Sequence, residues 1–209
     1  MIKRIIFDLY NTLIMWLDHY SLLLKDILKD NNLDIDYLII DRAIEAQEVK
    51  YDYLTKEQLL HDINAGLDEP VSMSLVDQIL ERQKVLAEYD EDTIDVLKYL
   101  ASKYEIVVLT NYFKDTQTGR LKTAGLLPYI NEVFGGDTIG KIKPNPSGFI
   151  KAMGNHTANE CLMIGDSLNI DIKGAKNVGI PTILVDRENH HPDYQGKRII
   201  SLKELKEML

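Results

Sequence analysis

Residues 161–185, CLMIGDSLNIDIKGAKNVGIPTILV, contain the pattern that decides the fold. The apolar run 161–164 is typical of a buried strand, and a second apolar run follows at 182–185. The residues between them favour a helix, which Gly179 and Pro181 end. A strand, a helix and a strand in this order predict one unit of a parallel sheet.

Similar apolar runs occur at 2–8 and 105–109, with a shorter one at 198–200, and helical patterns separate most of the runs. The sequence therefore predicts an α/β protein with a doubly wound, Rossmann-like parallel sheet. The carboxyl ends of parallel strands meet at one edge, where open α/β sheets bind their ligands. Polar side chains that directly follow the strands are the first candidates for function.

The interval between the first two strands has a different pattern. No strand-like run occurs there, and apolar residues repeat with helical spacing in four stretches, 22–28, 38–49, 54–63 and 75–86. This pattern predicts an all-helical cap domain of residues 15–90, inserted into a core domain of residues 1–14 and 91–209. Hinges are expected near residues 14–17 and 88–92. The pattern alone is equally compatible with a helical layer that only stabilises the fold.

The composition excludes several classes of partner. Acidic residues number 33 against 24 basic ones, and the net charge of -9 argues against binding to nucleic acid or to an anionic membrane surface. The single cysteine, Cys161, cannot form an internal disulfide. No apolar run approaches the ~20 residues of a membrane-spanning helix, and no signal peptide is recognised. We predict a cytoplasmic protein, and the pattern favours no particular oligomeric state.

Two polar segments follow the first two strands. In FDLYNTL, residues 7–13, Asp8 stands at the strand end, where a carboxylate acts as a nucleophile, as a metal ligand or only as the cap of a turn. In VVLTNY, residues 107–112, Thr110 and Asn111 offer hydrogen bonds to a phosphate oxygen, although such a pair is also a common start of a turn. Taken singly, both segments are compatible with structural roles.

Two further segments add a lysine and a pair of carboxylates. In GKIKPNPSGF, residues 140–149, two prolines stiffen the backbone beside Lys143 and aim its side chain at a fixed point. Asp166 directly follows a strand, and Asp171 lies early in the next helix. Two carboxylates so placed suit Mg²⁺, a hard cation that keeps several waters. Alternatively, Asp171 is only a charge that the helix dipole favours.

In order, spacing and flanking strands, these four segments resemble the haloacid dehalogenase superfamily over residues 3–187, and the helical stretch resembles the cap of one branch of it. The resemblance implies that Asp8 is the nucleophile and that the hydroxyl of Thr110 holds the transferring phosphoryl group. Lys143 matches the lysine that balances charge on the nucleophile and on that group. Lys141 is a less favoured alternative, because the lysine of the family typically stands immediately before the Pro-x-Pro.

The resemblance also implies a cofactor and a class of substrate. The expected cofactor is Mg²⁺, with ligands from Asp8, the backbone carbonyl of Tyr10, Asp166 and Asp171. The expected substrate is a small phosphorylated molecule, held by Asn11, Thr110, Asn111 and Lys143.

The sequence departs from the family's phosphatases at Tyr10, where they have a second aspartate that acts as acid and base. A phenol with a pKa of about 10 is a poor general base at neutral pH, and loss of such a group typically costs ~10²–10⁴-fold in rate. Tyrosine at this position also occurs in the metal-free 2-haloacid dehalogenases of the superfamily, whose halide leaves without a proton. Those dehalogenases have small polar residues in place of Asp166, so this aspartate favours a metal-dependent phosphatase.

Three functions therefore remain open. We predict a Mg²⁺-dependent phosphatase that forms an aspartyl-phosphate on Asp8; the alternatives are a metal-free 2-haloacid dehalogenase and a phosphate-binding or regulatory protein of low activity. A dehalogenase needs a cap arginine for its substrate; Arg42 lies in about the right stretch, but alignment of the aromatic segment 51–54 puts Glu45 there instead. The candidate cap contacts to substrate are Trp16, Tyr20, Lys50, Tyr51 and Tyr53.

Overall fold

The computed structural model describes residues 1–15 and 20–209. Six strands of these residues form one sheet: β1 Arg4–Phe7, β2 Glu105–Leu109, β3 Glu132–Phe134, β4 Cys161–Gly165, β5 Thr182–Val185 and β6 Arg198–Ile199. The strand order is β3-β2-β1-β4-β5-β6, and every neighbouring pair is parallel. The doubly wound parallel sheet predicted from the sequence is confirmed. The sequence analysis missed β3, which has only three residues.

Strand β1 lies at the centre of the sheet. Phe7 pairs with Val108 of β2 on one side and with Ile164 of β4 on the other. Because both faces of the sheet are covered, Ile5 and Phe7 enter one hydrophobic core and Ile6 enters the other. The strand order reverses between β1 and β4, and at such a point an open α/β sheet forms a ligand cleft.

The described chain from residue 20 to residue 82 contains five helices: α1 Tyr20–Asp30, α2 Tyr37–Glu45, α3 Gln47–Lys50, α4 Lys56–Asn64 and α5 Met73–Arg82. A 3-10 turn, Gln83–Val85, follows α5. Apolar residues of these helices, among them Ile40 and Ile79, form a hydrophobic cluster that Phe113 and Ile142 join from the rest of the chain. That residues 15–90 are a separate domain stays a prediction.

Two connections join these helices to the sheet, and they lie side by side. The backbone N–H of Met15 donates to the carbonyl oxygen of Glu88 over 2.7 Å, in an antiparallel bridge. Arg187, which follows β5, contacts both connections. Its Nη2 donates to the carbonyl oxygen of Thr12 over 2.8 Å, and its Nη1 pairs with Asp90. The two connections are thereby held to each other and to the sheet.

The remaining helices are α6 Thr93–Ala101, α7 Lys114–Thr123, α8 Pro146–Met153, α9 Lys173–Asn177 and α10 Leu205–Met208. Residues of α6, α7 and α10 share one core with β1, and residues of α8 and α9 share the other. The predicted helix after β4 begins with a π-helical turn, Leu168–Ile172, and continues as α9. No helix in the described part of the chain combines the length and the apolar character that a membrane span requires.

Candidate active site

Three carboxylates meet at the carboxyl ends of the central strands. Asp8 directly follows β1 and Asp166 directly follows β4, so these neighbouring strands place the two side chains at the point where the strand order reverses. Asp171 approaches from the π-helical turn. One oxygen of each of these three residues lies within 4.8 Å of the others. The structure thus brings together the three acids that the sequence analysis had singled out.

Lys143 is buried among these carboxylates. Its Nζ donates to Asp8 Oδ1 over 2.6 Å and to Asp171 Oδ1 over 2.7 Å. Burial alone would lower the pKa of Lys143, but the charges of Asp171 and Asp8 raise it above its usual value. Lys141 is exposed and pairs with Asp52 over 2.5 Å. Of the two candidate lysines, Lys143 is therefore the one that contacts Asp8.

The acids outnumber the lysine. Burial raises the pKa of Asp8 well above its usual value; Lys143 opposes this rise, and the charges of Asp171 and Asp166 add to it. Burial, followed by the charge of Asp171, raises the pKa of Asp166 to about 6. Three negative charges against one positive charge leave two uncompensated. Because a divalent cation among these oxygen atoms would balance that charge, the residues fit Mg²⁺.

Asp171 is fixed by its neighbours on both sides. Its Oδ1 accepts from Lys143, and its Oδ2 accepts from the backbone N–H of Ser167 over 3.1 Å. The hydroxyl of Ser167 accepts from the backbone N–H of Ile170 over 3.2 Å, which caps the turn that carries Asp171. A Cβ at Gly165 would lie 2.5 Å from Asp171 Oδ2, so only glycine allows β4 to approach this carboxylate.

The predicted phosphate-binding residues lie beside these acids. Asn11 and Thr110 line the cavity above Asp8. Asn11 has a φ of 54°, in the left-handed region that asparagine tolerates better than most residues. Asn111 contacts the backbone of Lys143 twice: its Nδ2 donates to the carbonyl oxygen over 2.9 Å, and its Oδ1 accepts from the N–H over 2.7 Å. The observed contacts of Asn111 therefore position Lys143, and its predicted contact with substrate stays a prediction.

A cavity of about 530 Å³ opens above the strand ends. Its lining combines Asp8 and Lys143 with Tyr20 of α1, Ile44 of α2 and the neighbouring Glu45. A molecule bound at Asp8 is thus enclosed partly by the sheet and partly by the helices. A volume of this size suits a small metabolite.

The five predicted contacts from the helical region have different surroundings. Tyr20 lines the cavity. Lys50 and Tyr51 both pair with a carboxylate of α4, and Tyr53 is exposed on the surface. These last three do not line the cavity. Trp16 lies outside the described residues.

Sequence analysis missed Arg120, because its helix, KDTQTGRLKT, has a polar sequence typical of a solvated surface. Arg120 is 4% exposed, and its Cζ lies 4.6 Å from the centre of the Tyr10 ring. Its Nε donates to the carbonyl oxygen of Leu86 over 2.6 Å. Burial lowers the pKa of Arg120 to about 10, and no carboxylate within residues 1–15 and 20–209 forms an ion pair with it. The cavity therefore contains a second cation besides Lys143.

Sequence analysis also missed two polar side chains in the cavity lining, Gln83 in the 3-10 turn and Tyr112 after β2. Nε2 of Gln83 donates to the hydroxyl of Tyr20 over 2.9 Å. Gln83 Oε1 is buried without a hydrogen-bond partner in the part of the chain described, and the buried Tyr112 hydroxyl contacts Gln83 without a hydrogen bond of regular geometry. No sequence signal identifies them, because tyrosine and glutamine are ordinary residues of amphipathic helices and of turns.

The fold and this arrangement agree with a known family. The family of haloacid dehalogenase-like hydrolases matches residues 2–179. The chain belongs to this family and is a hydrolase. It is 28% identical to pyrimidine 5'-nucleotidase PynA of Streptococcus pneumoniae, in a comparison that covers 99% of this chain and 94% of that protein.

Two solved structures show the same fold. The HAD-hydrolase YfnB of Bacillus subtilis, bound to magnesium, superposes with a TM-score of 0.79 at 21% identity, covering 100% of this chain and 98% of that one. The 2-haloacid dehalogenase of Pseudomonas syringae pv. Tomato DC3000 superposes with a TM-score of 0.74 at 22% identity, covering 99% and 97%. At these identities the likeness concerns the fold alone, so it does not distinguish a phosphatase from a dehalogenase.

Proposed function

We propose that the protein is a Mg²⁺-dependent phosphatase that acts on a small phosphorylated molecule through an aspartyl-phosphate on Asp8. The contact that supports this proposal most is the 2.6 Å hydrogen bond from Lys143 Nζ to Asp8 Oδ1, inside a cluster of three carboxylates. It opposes the rise in the pKa of Asp8 that burial causes, and so favours the ionised carboxylate that a nucleophile requires. The two uncompensated negative charges of the cluster match a divalent cation.

The proposed reaction has two halves. In the first, an oxygen of Asp8 bonds to phosphorus, the bond from phosphorus to the leaving-group oxygen breaks, and that oxygen takes a proton from solvent. In the second, a water oxygen bonds to phosphorus and its proton passes to solvent, the bond from phosphorus to Asp8 breaks so that the carboxylate re-forms, and inorganic phosphate leaves. Lys143, held in place by Asp171, stabilises the charge that develops beside Asp8 in both halves. Bound Mg²⁺ would supply further stabilisation of charge on the phosphoryl oxygens.

Tyr10 determines which substrates react fast. Because its phenol is a weak acid and a poor base, the leaving group departs with little help from proton transfer. Acyl and aryl phosphates, whose leaving groups need little protonation, should therefore react faster than alkyl phosphates. One relative is named a pyrimidine 5'-nucleotidase, so nucleoside monophosphates belong among the alkyl phosphates to be tested.

A 2-haloacid dehalogenase is the second candidate. Two observations favour it: Tyr10, and the buried guanidinium of Arg120, which can hold the carboxylate of a haloacid. Two others oppose it. Glu45 lines the cavity whereas Arg42 does not, and the charge of Asp166 repels a carboxylate substrate unless a cation lies between them.

One pair of assays tests the proposal. Phosphate release from acetyl phosphate, p-nitrophenyl phosphate and nucleoside monophosphates is measured with Mg²⁺ and with EDTA, beside halide release from 2-chloropropionate. We expect phosphate release that EDTA abolishes and added Mg²⁺ restores. Halide release that EDTA leaves unchanged would establish the dehalogenase. Binding of inorganic phosphate without turnover of either substrate type would establish the protein of low activity.

A further inference from the structure

We propose that Gln83 and Tyr112 form the subsite for the leaving group of the substrate, and that this group is neutral and presents a hydrogen-bond donor close to an acceptor. The inference rests on the proposed phosphatase function, because the phosphoryl position at Asp8 determines where the leaving group extends. Both side chains line the same cavity as Asp8. They reach it from different parts of the chain, Gln83 from the turn after α5 and Tyr112 from the loop after β2.

The two side chains contain buried polar atoms that lack regular hydrogen bonds. Gln83 is 2% exposed, and its Oε1 has no hydrogen-bond partner among residues 1–15 and 20–209. The Tyr112 hydroxyl, whose pKa is raised by burial and lowered by the Gln83 side chain that it contacts, forms no hydrogen bond of regular geometry there. The other end of the Gln83 amide is occupied, since Nε2 donates to the hydroxyl of Tyr20. A buried polar group without a partner is unfavourable. A ligand that supplies the missing hydrogen bonds accounts for this arrangement in the lining of a cavity.

The chemistry of the free atoms defines the group that fits. Gln83 Oε1 only accepts, so it requires an N–H or O–H of the ligand, while the Tyr112 hydroxyl donates to an acceptor. Burial raises the pKa of Tyr112, so its hydroxyl stays protonated. Sugar hydroxyls and the imide edge of a nucleobase both offer this combination of donor and acceptor.

The charges around the subsite disfavour an anionic leaving group. The pKa of Tyr20, which contacts Gln83, is raised by burial first, then by Tyr112, and also by the negative charges of Asp41 and Glu45. A carboxylate placed here would meet the same negative charges. The buried guanidinium in the cavity lies over the Tyr10 ring. A neutral leaving group therefore fits better than a carboxylate.

The test compares wild type with Tyr112→Phe on four substrates: uridine 5'-monophosphate, glucose 6-phosphate, phosphoglycolate and acetyl phosphate. We expect kcat/KM to fall about tenfold for uridine 5'-monophosphate or glucose 6-phosphate, as for the loss of one hydrogen bond. Acetyl phosphate, whose small leaving group does not extend to the subsite, should react unchanged. Whichever of the two neutral substrates responds identifies a nucleobase or a sugar as the group bound.

Matched variants separate recognition from folding. Tyr129→Phe removes a hydroxyl outside the cavity lining, and it should leave all four rates unchanged. Gln83→Met should repeat the selective loss, whereas Gln47→Met should not; Gln47 is also 2% exposed with an unpartnered Oε1, but it does not line the cavity. Because Tyr112→Phe removes an unsatisfied polar atom, its melting temperature should equal or exceed that of wild type.

Three results would overturn the subsite while the phosphatase function stands. Two concern Tyr112→Phe: an equal loss of kcat/KM on all four substrates, or no loss on any of them. The third is that wild type hydrolyses phosphoglycolate faster than both neutral substrates. If wild type hydrolyses no phosphate ester, the phosphatase function fails, and calorimetry with uridine 5'-monophosphate and glucose 6-phosphate decides on the subsite. Weaker binding by Tyr112→Phe than by wild type would still support it. Equal binding, or no binding by wild type, would overturn it as well.

Discussion

The floor of the cavity, formed by Asp8, Lys143, Asp166 and Asp171, differs from its far wall, formed by Tyr20, Gln83 and Tyr112. On the floor, Lys143 has two carboxylate partners, and both oxygens of Asp171 accept hydrogen bonds. On the far wall, two buried polar atoms lack a regular hydrogen bond among the described residues. On the proposed function, the groups that act on the phosphoryl are held in place before substrate arrives, whereas the groups proposed to recognise the rest of the molecule are left open to bind it.

Replacing the nucleophile should have the largest effect on the floor. Asp8→Asn should lower phosphatase activity by about 10⁴-fold or more, because an amide does not form the aspartyl intermediate. The fold should persist, since Lys143 keeps Asp171 as a partner. Initial rates measure the loss, and mass spectrometry of the trapped acyl-phosphate on wild type locates the nucleophile. If the label lies on another residue, Asp8 is not the nucleophile.

Removing the buried cation should affect both stability and activity. Lys143→Met leaves the carboxylates of Asp8 and Asp171 uncompensated, and we expect the free energy of unfolding to fall by about 3–5 kcal/mol with loss of activity. Urea denaturation measures the first effect. Lys141→Met is the matched control: its pair with Asp52 is exposed, so the change should stay within about 1 kcal/mol. If both variants lower the free energy of unfolding by the same small amount, Lys143 is not the cation that compensates Asp8 and Asp171.

Restoring an acid at Tyr10 should change the substrate preference. Tyr10→Asp should accelerate alkyl phosphates by up to ~10²–10⁴-fold and acyl phosphates little, because only poor leaving groups need a proton. Arg120, which now lies over the Tyr10 ring, offers the new carboxylate a cation. The measurement is kcat/KM against leaving-group pKa for wild type and variant. A flat wild-type series without a selective gain in the variant would show that another group supplies the proton.

The smallest effect concerns pH. Since the pKa of Asp166 rises to about 6, the folded protein binds this proton more tightly than the unfolded chain, whose aspartates titrate at about 3.9. The stability that this proton contributes is present below about pH 4 and is lost as the pH rises through about 6. In EDTA, the melting temperature of wild type relative to Asp166→Asn should therefore fall over this interval, and Mg²⁺ should cancel the fall. If the melting temperature of wild type relative to Asp166→Asn instead rises with pH in EDTA, the pKa of Asp166 is not raised, and our account of the charges is wrong.

The floor could be predicted from the sequence, whereas Tyr20 is the only predicted residue of the far wall. Asp8 and Asp166 directly follow runs of apolar residues, and parallel strands bring such positions to one edge whatever the rest of the chain does. Gln83 and Tyr112 meet only because the helices pack over the sheet, and no local period of the sequence encodes that packing. The roles of the floor residues, the Mg²⁺ requirement and the cytoplasmic location stay predictions.

Three further differences between the predicted and the observed structure have separate causes. Strand β3 has three residues, too few for an apolar run to be recognised. The predicted helical stretch 38–49 is divided at Ala46 into α2 and α3. Helix α7 has a polar sequence, yet Arg120 is buried because the turn that contains Leu86 packs against it. For Arg120, the deciding contact is with a residue 34 positions earlier in the sequence.

Arg187 links the two connections that join the helices to the sheet. A single covalent connection bends and twists in every direction, but these two share a backbone hydrogen bond, Met15 to Glu88, and one guanidinium that contacts both. These contacts resist sliding of the helices past the sheet at the place where the chain passes between them.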